Sequence, residues 1–232
     1  MTYVGSRACY RTALELCKVI LNLDPKADPL GIILVLDFFA LRSNQHNWFL
    51  KLYAEWEPTR NLSQLPNFAF SVGVAKFQHA HQRDVREDGR RHAEAMAAAD
   101  AALQSALIMF PSVLLPLLDK ASIEPDTRAA GHAFFLDTPM TPGLEILVKL
   151  YVHRSHHIWK DPNLLPWLER NVTAVLDLVD GGGKESEAVK EAAAKRKTRY
   201  QGTPRNIYRH VIVSDVKEVT SSLPRVGTKK RH

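Results

Sequence analysis

The chain has 232 residues, 45% of them hydrophobic and 24% charged, with a formal net charge of +6. That is ordinary for a soluble globular protein of one or two domains, and nothing in it points to an enzyme. No basic-then-apolar signal opens the sequence, and the longest apolar run, Leu30 to Leu41, is interrupted by Asp37 and too short to cross a bilayer, so a secretory leader and a membrane span are both excluded at this level.

The charge is lopsided. From Gly181 to His232 there are 13 Lys/Arg and 5 Asp/Glu, a net +8, against 18 positive and 20 negative residues before them. The body is near neutral and the basic excess sits at the end. Cys9 and Cys17 lie eight residues apart on one predicted helix, about 12 Å along its axis and beyond disulfide reach. They read as packing residues in a reducing, intracellular setting.

The first predicted helix runs from Arg7 to Leu23, with Ala13, Leu16, Cys17 and Ile20 on one side. The offsets Ala13, Cys17, Ile20, Pro25 follow the second-helix half of a tetratricopeptide unit, and Ala99, Leu103, Ala106, Pro111 repeat them. The two copies are 86 residues apart, not a clean multiple of the usual period of about 34, so the repeats are degenerate. No first-helix partner precedes Arg7, which reads as a fragment of a longer array.

Asp28 to Leu41 is the stretch around which the sequence organises itself. Asp28 is predicted to cap a helix and Pro29 to take its first position, where no amide hydrogen is needed. Ile33, Leu34, Phe38 and Leu41 share one face, while Ile32, Val35, Leu36 and Phe39 make the opposite face apolar too. Such a helix needs neighbours on both sides and is expected in the middle of a stacked array. Asp37 within it is expected to bond an arginine, Arg11 or Arg42.

A second helix over Asn44 to Trp56 carries the stripe Trp48, Phe49, Leu52, Tyr53, Trp56, expected as core, with a groove for a partner peptide as the alternative. A third covers Asn67 to Gln78, with Gly73 admitting a close neighbour, and His79 to Asp88 is expected as a hairpin loop. An alanine-rich helix follows from about Asp88 to Phe110. Pro111 restarts the chain into a short apolar helix bent or broken at Pro116. Ser122 to Thr141 reads as a connector with one turn near Thr127 to Phe135.

Thr141-Pro142 opens a helix to His157, and Asp161-Pro162 another to Asp180, with Leu165, Leu168, Val172, Val175 and Val179 inward. Gly181 to Gly183 ends the packed body. Lys184 to Arg199 is helix-prone with almost no apolar face and is expected to be solvated. Thr203-Pro204 starts a last short helix with Ile207, Val211 and Ile212 set to dock, and the tail after Leu223 is predicted to be disordered. The expected division is a helical-repeat body at 1–180, a basic linker at 181–202, a docking helix at 203–222 and a basic tail at 223–232. The fold class is all-α, a tetratricopeptide-like helical-hairpin array, or α-solenoid.

No constellation carries convincing chemistry. His153 and His157 in HRSHH sit one turn apart, the pairing of metalloprotease helices, but the general-base Glu between them is missing. Gly181 to Lys184 resembles a phosphate loop, yet Leu178 and Glu185 stand where Gly and Ser/Thr are required. There is no Gly-x-Ser-x-Gly elbow. No metal or cofactor is expected. The basic end is the candidate binding region: Lys195, Arg196, Lys197, Arg199, Arg205 and Arg209, then Lys229 to Arg231, form a positive strip able to neutralise RNA phosphates. Tyr200 and Tyr208 are its only stacking candidates.

Four stretches, RTALELCKVILNLDPKADPLGIILVLDFFALR, LPNFAFSVGVAKF, ALQSALIMFPSVLLPLLDK and PRNIYRHVIVSDV, resemble the transcription factor 25 family, whose yeast relatives are the first subunit of the ribosome quality control complex. The resemblance covers most of the chain. It implies an all-helical, tetratricopeptide-like region without enzymatic activity. It also implies cytoplasmic and nuclear residence and a role on the large ribosomal subunit. There the family assists a Listerin-type ubiquitin ligase, with ubiquitin, in marking stalled nascent chains. The family's long lysine-rich N-terminal half has no counterpart in this sequence. Arg205, Tyr208 and Arg209 of PRNIYRH, with Lys195, Arg196 and Lys197, are the expected partner-binding residues. A competing reading is a nucleic-acid-associated transcriptional regulator, or repressor, using the basic C-terminal region, and a third is a hydrolase or metalloenzyme.

Overall fold

Helix signals dominate the sequence, and in the computed structural model every regular element is helical. The structure describes residues 9–181, 186–214 and 216–220. In chain order the helices are α1 (Tyr10–Leu23), α2 (Ile33–Arg42), α3 (His46–Arg60), α4 (Pro66–Ala80), the short α5 (Arg83–Arg86), α6 (Gly89–Met109) and α7 (Leu114–Ala121). Then come the short α8 (Thr127–Gly131) and α9 (Ala133–Leu136), α10 (Pro142–Ser155), α11 (Leu164–Asp180), α12 (Ser186–Arg199), α13 (Arg205–Ser214) and α14 (Lys217–Thr220). No strand occurs among the described residues. No single described helix is long and apolar enough to cross a membrane.

α4 is the hub. Pro66 opens it at a position needing no amide hydrogen, and Phe68, Phe70, Val72, Val74, Ala75 and Phe77 are all buried. It packs on α2, α3 and α10 and lies most extensively along α6. Gly73 makes that approach possible: a Cβ there would lie 3.4 Å from the Leu103 amide. Aromatic rings extend the core outward, Phe70 stacking on Tyr151 at 5.5 Å and Phe77 meeting Trp167 in a tilted pair at 4.6 Å. α2 is covered on both sides as expected, by α1, α3, α4 and α10. The central place it was expected to hold belongs to α4.

Several expectations are corrected. Ile32, not Asp28, is the N-cap of α2 and Pro29 lies outside the helix, although the Asp28 carboxylate still reaches the helix start, accepting from the amides of Ile32 at 2.8 Å and Ile33 at 3.0 Å. The helix starts only at Ile33 because Asp28 and Gly31 take left-handed φ of 38° and 61° and the chain turns between them. α4 runs on to Ala80 and a short helix follows it, where a loop was expected. Pro116 falls in the first turn of α7, where a missing amide hydrogen costs little, so it neither bends nor breaks the helix. The 122–141 connector holds two short helices, started by the Asp126 carboxylate accepting from the Arg128 amide and the His132 ring from the Phe134 amide. Of the α3 stripe only Phe49 is fully buried. Trp48, Leu52, Tyr53 and Trp56 are half-buried.

The C-terminal helices fold back over the N-terminal half. Arg154 of α10 donates to the Leu34 carbonyl at 2.8 Å, Tyr200 to that of Gln64 at 2.6 Å, and His210 of α13 to that of Leu30 at 2.9 Å. In a strict solenoid each repeat touches only its neighbours. Contacts spanning 120, 136 and 180 residues close this body on itself. The expected tail after Leu223 and most of the glycine run lie outside the described residues.

Candidate partner-binding surface

The basic strip is carried by α12 and α13. Most of α12 is exposed, but it is not wholly solvated as expected. Ala192, Arg196 and Tyr200, four residues apart, form one buried line against α6 and the turn that follows it. The Arg196 guanidinium donates to the carbonyls of Ile108 at 2.7 Å and Met109 at 3.1 Å, capping the open end of α6. Burial pulls its pKa down and pushes the Tyr200 phenol up to about 12. Arg196 and Tyr200 therefore serve the fold and present no group to a phosphate.

The other candidates stay on the surface. Lys195 pairs with Glu191 at 2.7 Å, Lys197 is exposed, and Arg199 is hydrogen-bonded to the Gln64 side chain. Arg205 and Arg209 are exposed on α13 while Tyr208 is half-buried. α13 docks through His210 and Val211. Ile207 is only half-buried and Ile212 is 52% exposed. His210 is neutral: its Nδ1–H donates to the Leu30 carbonyl, and Nε2 accepts from Arg154 at 2.6 Å. Burial, with the Arg154 charge beside it, lowers its pKa to about 3. Gly31 lets this contact form, since a Cβ there would come within 2.9 Å of the His210 Cβ.

The sequence offered a partner-peptide groove at the α3 stripe only as the alternative to core, and a groove lies beside it. Its volume is about 480 Å³, with Val72 and Lys76 of α4 as floor, Tyr53 of α3 and Ala98 and Ala102 of α6 as walls, and Lys195 at the rim. A second opening of about 370 Å³ shares Lys76 and Ala98 and continues along α6. The available signal was that the alanines of α6 outnumber what one buried face uses. Ala99, Leu103 and Ala106 point inward, leaving Ala97, Ala98 and Ala101 exposed. Small exposed side chains let another helix come close, and Tyr53 supplies the apolar wall the sequence assigned to the core.

Asp37 meets neither Arg11 nor Arg42. It accepts from Asn67 Nδ2 at 2.8 Å and Ser71 Oγ at 2.7 Å, both on α4. Burial raises its pKa, those bonds working against the rise, and the nearest compensating charge is Arg154. Arg11 pairs with Glu15 at 2.9 Å, and Arg42 lies 4.6 Å over the Tyr10 ring. Among the described residues no group of three His, Cys, Asp or Glu side chains is placed to hold a metal. The His156 ring bonds back to the carbonyls of Val152 and His153 at the end of α10. Burial pushes the Cys17 thiol up to about 12, far from a nucleophile's range.

The fold places the chain among all-α proteins whose exposed grooves lie between packed helices. The chain belongs to the Tcf25 family, described as transcriptional repressor TCF25, whose family model matches residues 1–232. It is 46% identical over 227 residues, 97% of its length, to a human protein named ribosome quality control complex subunit TCF25. It is 32% identical over 239 residues, 95% of its length, to the Dictyostelium discoideum protein of the same name. To ribosome quality control complex subunit 1 of Schizosaccharomyces pombe it is 27% identical over 164 residues, 70% of its length. It spans 33%, 32% and 22% of these relatives respectively. No solved structure matches the chain.

Proposed function

We propose that this chain is a non-enzymatic interaction scaffold of the ribosome-associated quality control machinery, a tetratricopeptide-like array of helical hairpins closed by its C-terminal helices. In this reading it works in the cytoplasm and nucleus. It assists a Listerin-type ubiquitin ligase in marking stalled nascent chains with ubiquitin on the large ribosomal subunit. The observation that carries the proposal is the match along almost the whole chain to a human protein named as a ribosome quality control complex subunit. The groove between α3, α4 and α6 supports it physically: helix-in-groove binding needs small and aromatic walls and no reactive group. The exposed cations Lys195, Lys197, Arg205 and Arg209 suit contact with RNA of the subunit.

The test is sedimentation of the full-length parent protein, tagged, with and without this region. Loss of ligase and large-subunit association on deletion supports the scaffold; unchanged association defeats it. The second reading, a nucleic-acid-associated transcriptional repressor, is favoured by the family's own description and by the basic end. Sequence-selective DNA binding at physiological salt would replace the first reading with this one.

A further inference from the structure

A separate open pocket of about 500 Å³ lies where the end of α2, the start of α3 and the turn from α10 into α11 meet over α4. Arg42, Lys160, His46 and His157 line it, and so does one carboxylate, Asp161. That carboxylate is already engaged, accepting from the Asn163 amide at 2.9 Å and from Asn163 Nδ2 at 3.0 Å. Arg42 is held in place by Tyr10, to whose hydroxyl it donates at 3.1 Å while its guanidinium stacks on the ring. Nδ1 of His46 is buried and finds no hydrogen-bond partner among the described residues.

The lining thus combines two positive charges and two imidazoles, one of which carries the orphaned ring nitrogen, with a single acid already engaged in hydrogen bonds. Asp161 offsets one of those charges, and no other group lining the pocket offsets the second. A neutral ligand would leave it unbalanced, whereas a phosphate accepts hydrogen bonds from arginine, lysine and imidazolium together. The volume falls in the usual small-ligand range of about 300–1,000 Å³. We propose that this pocket binds the phosphate group of a nucleotide, free or within an RNA chain. The proposal does not depend on a role at the ribosome.

The histidines add a direction in pH. Burial lowers the pKa of His157, and Lys160, Arg42 and His153 push it the same way. The His156 ring also lies against it at 3.7 Å. Burial and His79 lower that of His46. Both rings are neutral near neutral pH and are charged by an arriving anion, so binding takes up protons and strengthens as pH falls from about 7.5 to about 6.

The experiment follows the histidine ring signals of the full chain by NMR while ADP and, separately, a single-stranded RNA of about ten nucleotides are titrated in. The expected result is saturable shifts of His46 and His157, tighter binding at the lower pH, and about a tenfold loss of affinity in Lys160→Glu with an unchanged circular-dichroism spectrum. His157→Gln, at another exposed position, shows a similar loss and serves if Lys160→Glu does not fold. Lys26→Glu, an exposed position between α1 and α2 that does not line the pocket, leaves the ADP affinity as it was. Shifts with RNA alone identify the chain-borne phosphate as the ligand, and shifts with ADP alone the free nucleotide. Silent His46 and His157 signals with both probes, or an affinity indifferent to Lys160→Glu, overturn the proposal. Subunit sedimentation can survive that result, so the two readings fail separately.

Discussion

Asp37 and His210 are buried polar residues whose neighbours matter for stability. Asp37→Ala would leave Asn67 Nδ2 and Ser71 Oγ short of their acceptor inside the core, so a loss of about 3 kcal/mol is expected in urea unfolding. His210 has a folded pKa near 3 against about 6.5 for a free histidine. The unfolded chain binds the proton first, so this contribution is complete above pH about 6.5 and declines as pH falls toward about 3, by up to about 1.4 kcal/mol per pH unit. Asp37, its pKa raised, works in the opposite sense and gains as it is protonated. The urea midpoint of the wild type should therefore fall more steeply below pH about 6.5 than that of His210→Gln, in which the histidine term is gone. The apolar helix around Asp37 announced that it would be buried and paired, but not with what. Asp37 lies 30 and 34 residues from its partners, and His210 lies 180 residues from the Leu30 carbonyl it meets.

α12 shows how an element's role depends on what lies beside it. Its sequence is rich in charge and has almost no apolar face, which reads as a solvated rod. One arginine at the right height meets the unpaired carbonyls at the end of α6 and becomes a cap. Arg196→Ala should cost about 2 kcal/mol and speed amide exchange in the last turn of α6 and along α12, with little change in α3. The next junction is equally tight: a Cβ on Gly143 would sit 2.7 Å from the Gly202 carbonyl oxygen and 3.0 Å from that of Tyr200. Gly143→Ala should push this backbone off α10, and limited proteolysis should then cut near residue 202 faster than in the wild type. Helix starts were the most legible elements. Asp88 caps α6 through the amides of Arg90 and Arg91, and Thr141 with Pro142 opens α10, because a cap acts within three residues of itself. α2 was misplaced at its start because the left-handed turn at Gly31 is shaped by the approach of α13.

For the molecule as a whole, the closing contacts of α10, α12 and α13 leave the exposed face of α6 and the half-buried stripe of α3 as the walls of a groove that continues along α6. If partners use it, Ala101→Arg should leave unfolding within about 0.5 kcal/mol of wild type, since Ala101 is exposed. The same change should reduce recovery of ligase and large subunit with the full-length parent in pull-downs. Full recovery would move the binding surface elsewhere.

The sequence by itself determined the all-helical class, the two-sided burial of α2, the close passage at Gly73 and the concentration of positive charge at the C-terminal end. Each of these follows from periodicity, composition or a side chain acting on its own turn of backbone. Only the tertiary structure decided that α4 is the hub, that Arg196 is a cap, that Asn67 and Ser71 satisfy Asp37, and that an alanine face becomes a groove. Each of those depends on a surface supplied from 30 to more than 100 residues away. Helical spacing shows which residues share a face and says nothing about which distant face will meet it.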